Sequence, residues 1–170
     1  MKRILFVLAS ALLAFFAVAT SAQAVTIFNR NTAPQGAHYA QGFGEPTCTL
    51  TGTTVNCTGT EIVGVGNTNA TVVLAVTATF TGTCTNRGGN LVEPFTESET
   101  TTTSETVLPD ENGRLIVPAQ SATAPGEEEF LATFECPNRN WTADVDTTDV
   151  SFVYTLTFAG FNQPAIRITG

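Results

Sequence analysis

From Asn69 the chain reads NATVVLAVTATFTGTCTN, and its even-numbered positions, Val72, Leu74, Val76, Ala78, Phe80, Gly82 and Cys84, are all apolar or small. Every odd position from Thr77 to Thr85 is threonine. Successive side chains of an extended chain point to opposite faces, so a repeat of two marks a strand with one face in a core and the other in water. EEEFLATFEC repeats the pattern, with Phe130, Ala132, Phe134 and Cys136 on one side and Leu131, Thr133 and Glu135 on the other. So does DVSFVYTLTFAG, which sets Val150, Phe152, Tyr154, Leu156 and Phe158 inward. Three long alternating segments with β-branched outer faces predict an all-β domain.

Shorter strands are predicted at Val25 to Asn29, around Ile62, from Ser98, from Gly113 and at Ala165 to Thr169. Turn signals separate them: Gly66 with Asn67, Arg87 to Asn90, Pro109 to Gly113, and Pro125 with Gly126. No stretch after the N-terminus holds a helical period. About eight strands, each with one wet face, predict a disulfide-stapled β-sandwich of two sheets, immunoglobulin-like or Greek-key in its connections. The run SETTTTSET is polar on both faces, so residues 93–106 are read as an edge strand or a mobile loop. Residues 31–46 are read as a long loop within the same domain.

The stretch TCTLTGTTVNCTG fixes a register. If Gly52 and Thr53 form a two-residue turn with Gly first, Thr51 pairs with Thr54, Leu50 with Val55, Thr49 with Asn56 and Cys48 with Cys57. Non-hydrogen-bonded partners in such a ladder have Cα atoms about 4.5 Å apart, at the short end of the disulfide range. With that pair made locally, Cys84 is left to Cys136. A four-cysteine zinc site and a redox pair both favour C-x-x-C spacings, which are absent.

The N-terminus, MKRILFVLASALLAFFAVATSAQA, has Lys2 and Arg3 before an apolar run and small residues at Ala22 and Ala24. This is the pattern of a secretory signal over residues 1–24, and the apolar run is shorter than the roughly 20 residues of a spanning helix. Cleavage after Ala24 takes 24 residues from 170 and leaves 146, enough for a single domain over 25–170, outside the cytosol, where disulfides persist. No later segment is apolar enough to span a membrane as a helix. The mature part has Arg30, Arg87, Arg114, Arg139 and Arg167 against fifteen Asp and Glu, a net charge of −10. Binding to nucleic acid works through clustered cations and counterion release, so no nucleic-acid partner is expected.

Candidate chemistry is sparse. The one histidine, His38, lies in a loop between Ala37 and Tyr39, and no G-x-S-x-G elbow accompanies it. Asp144, Asp146 and Asp149 in ADVDTTDV offer carboxylate oxygens for calcium, but without the glycine and terminal glutamate of an EF-hand loop; the other reading is a polar turn before the Val150 strand. Glu127, Glu128 and Glu129 read as a solvated strand start. The threonine array from Thr77 to Thr85 invites an ice-binding or polysaccharide-surface reading, yet β propensity alone produces such a face. Trp141, in CPNRNWTAD, either stacks on a sugar ring or packs on the neighbouring disulfide. With Asn86, Arg87 and Asn90 it makes up the candidate binding set. No catalytic residue, metal site or cofactor is assigned.

The series VGVGNTNATVVLAVTATFTGTCTNRGGN, ENGRLIVPA, FECPNRNWTADV and VSFVYTLTF resembles a group of small secreted bacterial proteins. They share a G-x-G-N turn, a long strand into C-T-N-[RP]-G-G-N, and a C-P-N-x-x-W-T strand opening. The resemblance implies a compartment and an organisation but no activity, and the acidic, threonine-rich insert around Ser98 departs from it. The expectation is a non-catalytic extracellular binding or structural module with a glycan or protein partner. A secreted carboxylate-based hydrolase and a calcium-dependent cell-surface protein are the alternatives.

Overall fold

The computed structural model describes residues 28–170. The signal expected over 1–24 lies outside the described residues, as does most of the strand expected at Val25 to Asn29. In chain order the strands are β1 (His38–Tyr39), β2 (Cys48–Thr51), β3 (Thr54–Cys57), β4 (Thr60–Val63), β5 (Ala70–Thr85), β6 (Leu91–Val107), β7 (Arg114–Val117), β8 (Gln120–Thr123), β9 (Thr142–Phe158) and β10 (Ile166–Thr169). An α-helix, α1 (Glu127–Thr133), stands between β8 and β9, and a 3-10 turn, Arg30–Thr32, precedes β1. The chain is all-β, with three antiparallel sheets ordered β10-β9-β5-β6, β1-β4-β7 and β2-β3-β8.

Strand β5 is the axis of the molecule. Its even-numbered side chains from Ala70 to Cys84 are buried and its odd-numbered ones half-exposed without a break. It pairs along its whole length with β6 on one side and β9 on the other. Phe152, Tyr154, Leu156 and Phe158 of β9 and Ile166 and Ile168 of β10 extend the same buried face. Each large apolar side chain withdrawn from water here contributes about 1.5–3 kcal/mol.

The two short sheets close over that face. β3 pairs with β8 from Thr54↔Thr123 to Cys57↔Gln120, and β4 pairs with β7 from Thr60↔Val117 to Val63↔Arg114, in one continuing register. The sequence predicts a single second sheet; the chain forms two because Pro118 has no N–H to give the ladder, while a Cβ at Gly59 would meet the Val117 carbonyl at 2.7 Å. Val55, Cys57, Ile62, Leu115, Val117 and Ala122 from these strands join one core with the long sheet. Cys48, Thr49, Leu50 and Thr51 face Cys57, Asn56, Val55 and Thr54 across a turn in which Gly52 has φ +59°. The Cys48–Cys57 disulfide joins directly paired residues with Cα atoms 4.0 Å apart.

Sequence periodicity fails at residues 127–136. The strand predicted there is a helix as far as Thr133, followed by an extended Phe134 and two residues without regular structure, Glu135 and Cys136. Phe130 and Phe134 satisfy a period of two and also the four-residue step of a helix face. Gly126 at the N-cap and Glu127, Glu128 and Glu129 in the first turn, where carboxylates oppose the positive end of the helix dipole, decide for the helix. There is also space to fill. The sixteen residues of β5 run roughly 50 Å, whereas the short-sheet ribbon over 54–63 reaches roughly 33 Å. Phe130 of α1 covers the overhang, stacked on Phe80 with ring centroids 4.2 Å apart.

Two further points of organisation emerge. β9 begins at Thr142, eight residues before Val150, so Asp144, Asp146 and Asp149 lie in a strand and not in a turn. The threonine-rich segment takes the edge-strand alternative: it is β6, the outermost strand of the long sheet.

Candidate functional site

The end of the long sheet beyond the short ones gathers most of the candidate residues. In the β5–β6 connection the Asn86 side-chain oxygen accepts from the Gly88 and Asn90 amides at 2.9 and 3.2 Å. The Asn86 amide in turn donates to the Asn90 carbonyl at 3.1 Å. Asn86 and Asn90 thus shape a turn, and Arg87 projects from it. Before β9 a second turn is built in the same way: the Asn138 side-chain oxygen accepts from the Asn140 amide at 3.0 Å, and its carbonyl accepts from the Trp141 amide at 2.9 Å. The Arg87 guanidinium donates to the Asn140 side-chain oxygen at 3.4 Å and joins turns 53 positions apart in sequence. The Cys84–Cys136 disulfide, with Cα atoms 6.0 Å apart, ties the segment before Trp141 to the end of β5.

Beside this junction lies an open depression of about 380 Å³, lined by Phe134, Glu135, Cys136, Arg139, Trp141 and Ala143. Trp141 is half-buried, and Arg139, Asn140 and Glu135 are exposed. The lining offers a flat indole, a guanidinium and a carboxylate beside Phe134 and Ala143. Such a set stacks on one face of a ring and hydrogen-bonds to groups at its rim. Of the candidate set, Trp141 lines the depression, Arg87 reaches it only through Asn140, and Asn86 and Asn90 hold the supporting turn. Phe134, Glu135 and Arg139 were not singled out by sequence; their one signal was closeness to Cys136 and Trp141.

The remaining candidates stand apart. His38 is exposed, its Nδ1 2.7 Å from the Gly36 carbonyl, beside a separate depression lined by Arg30, Pro34, Gln35 and Gly36. Asp144 and Asp149 stand opposite Thr83 and Thr79, and Asp146 is the extra residue where the β5–β9 register shifts. Among the described residues no group of three or more His, Cys, Asp or Glu is placed to hold a metal ion. Glu127, Glu128 and Glu129 are in the first turn of α1. The threonine face forms cross-strand hydroxyl pairs, Thr77 with Thr100 at 2.8 Å and Thr79 with Ser98 at 2.9 Å.

Two buried polar features have no ligand-facing role. Glu61 accepts both nitrogens of a fork from Arg114, at 2.7 Å each, and this partner raises the arginine's pKa further. The Tyr39 and Tyr154 hydroxyls are buried without a protein hydrogen-bond partner. Burial pushes the Tyr154 phenol up to about 12, and burial, Glu45 and Tyr154 together push Tyr39 higher still. Among the described residues no helix is long and apolar enough to cross a membrane. Comparison of the chain with protein-family models, curated proteins and solved structures finds no match.

Proposed function

We propose that the protein is a non-catalytic extracellular binding module that recognises a glycan through the depression around Trp141. The observation that carries this reading is the fixed presentation of the indole. Trp141 lies between a disulfide-anchored segment and β9, beside Arg139 and Glu135, in a cavity of about 380 Å³. A half-exposed ring held on rigid elements stacks on a pyranose without losing much side-chain freedom on binding. Two disulfides are consistent with an oxidising compartment, which supports the secreted reading. A glycan array probed with residues 25–170 tests it. The expected result is a defined set of positive glycans that Trp141→Ala loses at least tenfold without a change in Tm. Equal binding by the variant, or no binding to any glycan, would sink it.

A further inference from the structure

The opposite side of the Phe134–Glu135 segment carries a second surface. Among the described residues β6 pairs only with β5, and no other strand pairs with its outer edge. β8 approaches that edge near its C-terminal end, where Gln120 bonds Thr103 and Glu105. Pro94 has no N–H to offer, but from Phe95 to Thr102 the edge is open among the described residues, and a chain laid against it would find one row of main-chain donors and acceptors. Glu93, Glu97 and Glu99 stand opposite Cys84, Phe80 and Ala78, and therefore on the core side of the sheet, at its rim. Between them Phe95 stands opposite Gly82 and its ring packs 4.4 Å from that of Phe134. A depression of about 370 Å³ lies here, with Pro94, Phe95 and Phe134 among its apolar lining and Glu93, Glu97 and Glu135 as its carboxylates; Glu99 stands beyond it along the strand. Among the described residues Glu93, Glu97 and Glu99 form no ion pair, whereas Glu135 shares the depression at Trp141 with Arg139.

We infer that the open half of β6 accepts an extended, basic segment of a partner protein as an added fifth strand. Side chains two apart on such a segment recur at about 6.8 Å, the spacing of Glu97 and Glu99 on β6. Lysine or arginine at alternate positions meets the glutamates, and one aliphatic stem lies over Phe95 and Phe134 with its charge at the carboxylate rim. A second copy of this chain is the wrong occupant, because pairing β6 with β6 brings like charges together on one face.

The test is fluorescence anisotropy with the disulfide-bonded domain and a labelled ten-residue peptide alternating lysine and valine. Saturable binding at low salt is expected, at least tenfold weaker for Glu97→Gln/Glu99→Gln and unchanged for Trp141→Ala, which keeps this surface distinct from the glycan site. A peptide of the same sequence with alternate amides N-methylated keeps its charge but cannot pair, and it should bind at least tenfold more weakly. Equal binding by the methylated peptide, or by a peptide with glutamate in place of lysine, overturns the inference. A wild-type dimer that the lysine peptide fails to dissociate overturns it too, since the edge would then be taken by a second copy.

Discussion

The ring of Phe130 lies nearly parallel to that of Phe80, their planes 11° apart, and joins a helix to the end of the long sheet beyond the short ones. Phe130→Ala opens a cavity under α1 and should destabilise the domain by about 3–5 kcal/mol, with Phe130→Leu costing clearly less. Urea unfolding measures both. Hydrogen exchange should show the residue 134–141 segment losing protection first, because Phe134 packs 5.0 Å from Phe130.

Gly82 faces the core where the β5–β9 register shifts, and a Cβ there would run into the Asp144 carbonyl and the Phe95 ring. The nearest atom is backbone and not the end of a flexible side chain, so the chain must shift and Gly82→Ala should cost about 1–3 kcal/mol as overpacking. The same change at Gly126, where nothing lies within 4 Å, should be far milder. Thermal unfolding of the two variants checks the contrast.

The two disulfides differ in the loops they close, with separations of 52 and 9 residues. In the chain-entropy model, replacing Cys84 and Cys136 by alanine costs about 4 kcal/mol, and replacing Cys48 and Cys57 about 3. Only the first pair anchors the Trp141 segment. Its removal should therefore weaken glycan binding at temperatures where the domain is still folded, and removal of the second pair should not.

The hydroxyls of both tyrosines of the chain are buried, and both phenols have raised pKa values. Stability linked to a group whose folded pKa is raised is fully present below the unfolded value, 10 for tyrosine, and is lost as pH climbs through the folded value, about 12 for Tyr154. The folded protein should show almost no tyrosinate absorbance at pH 10 to 10.5, where the urea-unfolded chain is about half ionised or more. The melting temperature should fall steadily above pH 10. Tyr154→Phe removes a hydroxyl without a protein partner, so it should be neutral or slightly stabilising near pH 7 and should flatten that alkaline decline.

Charged side chains turned toward the core side of an edge strand also discourage edge-to-edge association. Replacing Glu93, Glu97 and Glu99 together by threonine should make the domain self-associate in sedimentation experiments at concentrations where the parent chain is monomeric.

How much of this was readable beforehand depended on whether a pattern had one physical solution. The alternation in β5 had one, since seven consecutive even positions without a polar side chain fit only a strand with a dry face. The Cys48–Cys57 hairpin had one, since turn glycine, cysteine spacing and polarity agreed on a register. The 127–136 segment had two, and tertiary context chose: a helix was needed to cover Phe80, and the glutamates that resembled a solvated strand start were its N-terminal turn. The onset of β9 was obscured because the alternation of Ala143 and Val145 with Thr142, Asp144 and Asp146 is broken by the register shift at Asp146 and the exposed run from Thr147 to Asp149. Trp141 could be marked from sequence as a lone indole, but its surroundings could not be named. They depend on Arg87 meeting Asn140 and on a disulfide spanning 52 residues, and neither leaves a local trace.

The break at Gly59 and Pro118 divides the cover of the core into two leaves sharing one seam. One leaf holds the Cys48–Cys57 disulfide and the other the Arg114–Glu61 pair. A jointed cover follows a twisted sheet by tilting each leaf separately, where an unbroken ribbon would have to coil along its whole length. Each leaf is therefore free to be re-engineered in its own exposed turns without a compensating change in the other, provided the joint keeps its glycine and its proline.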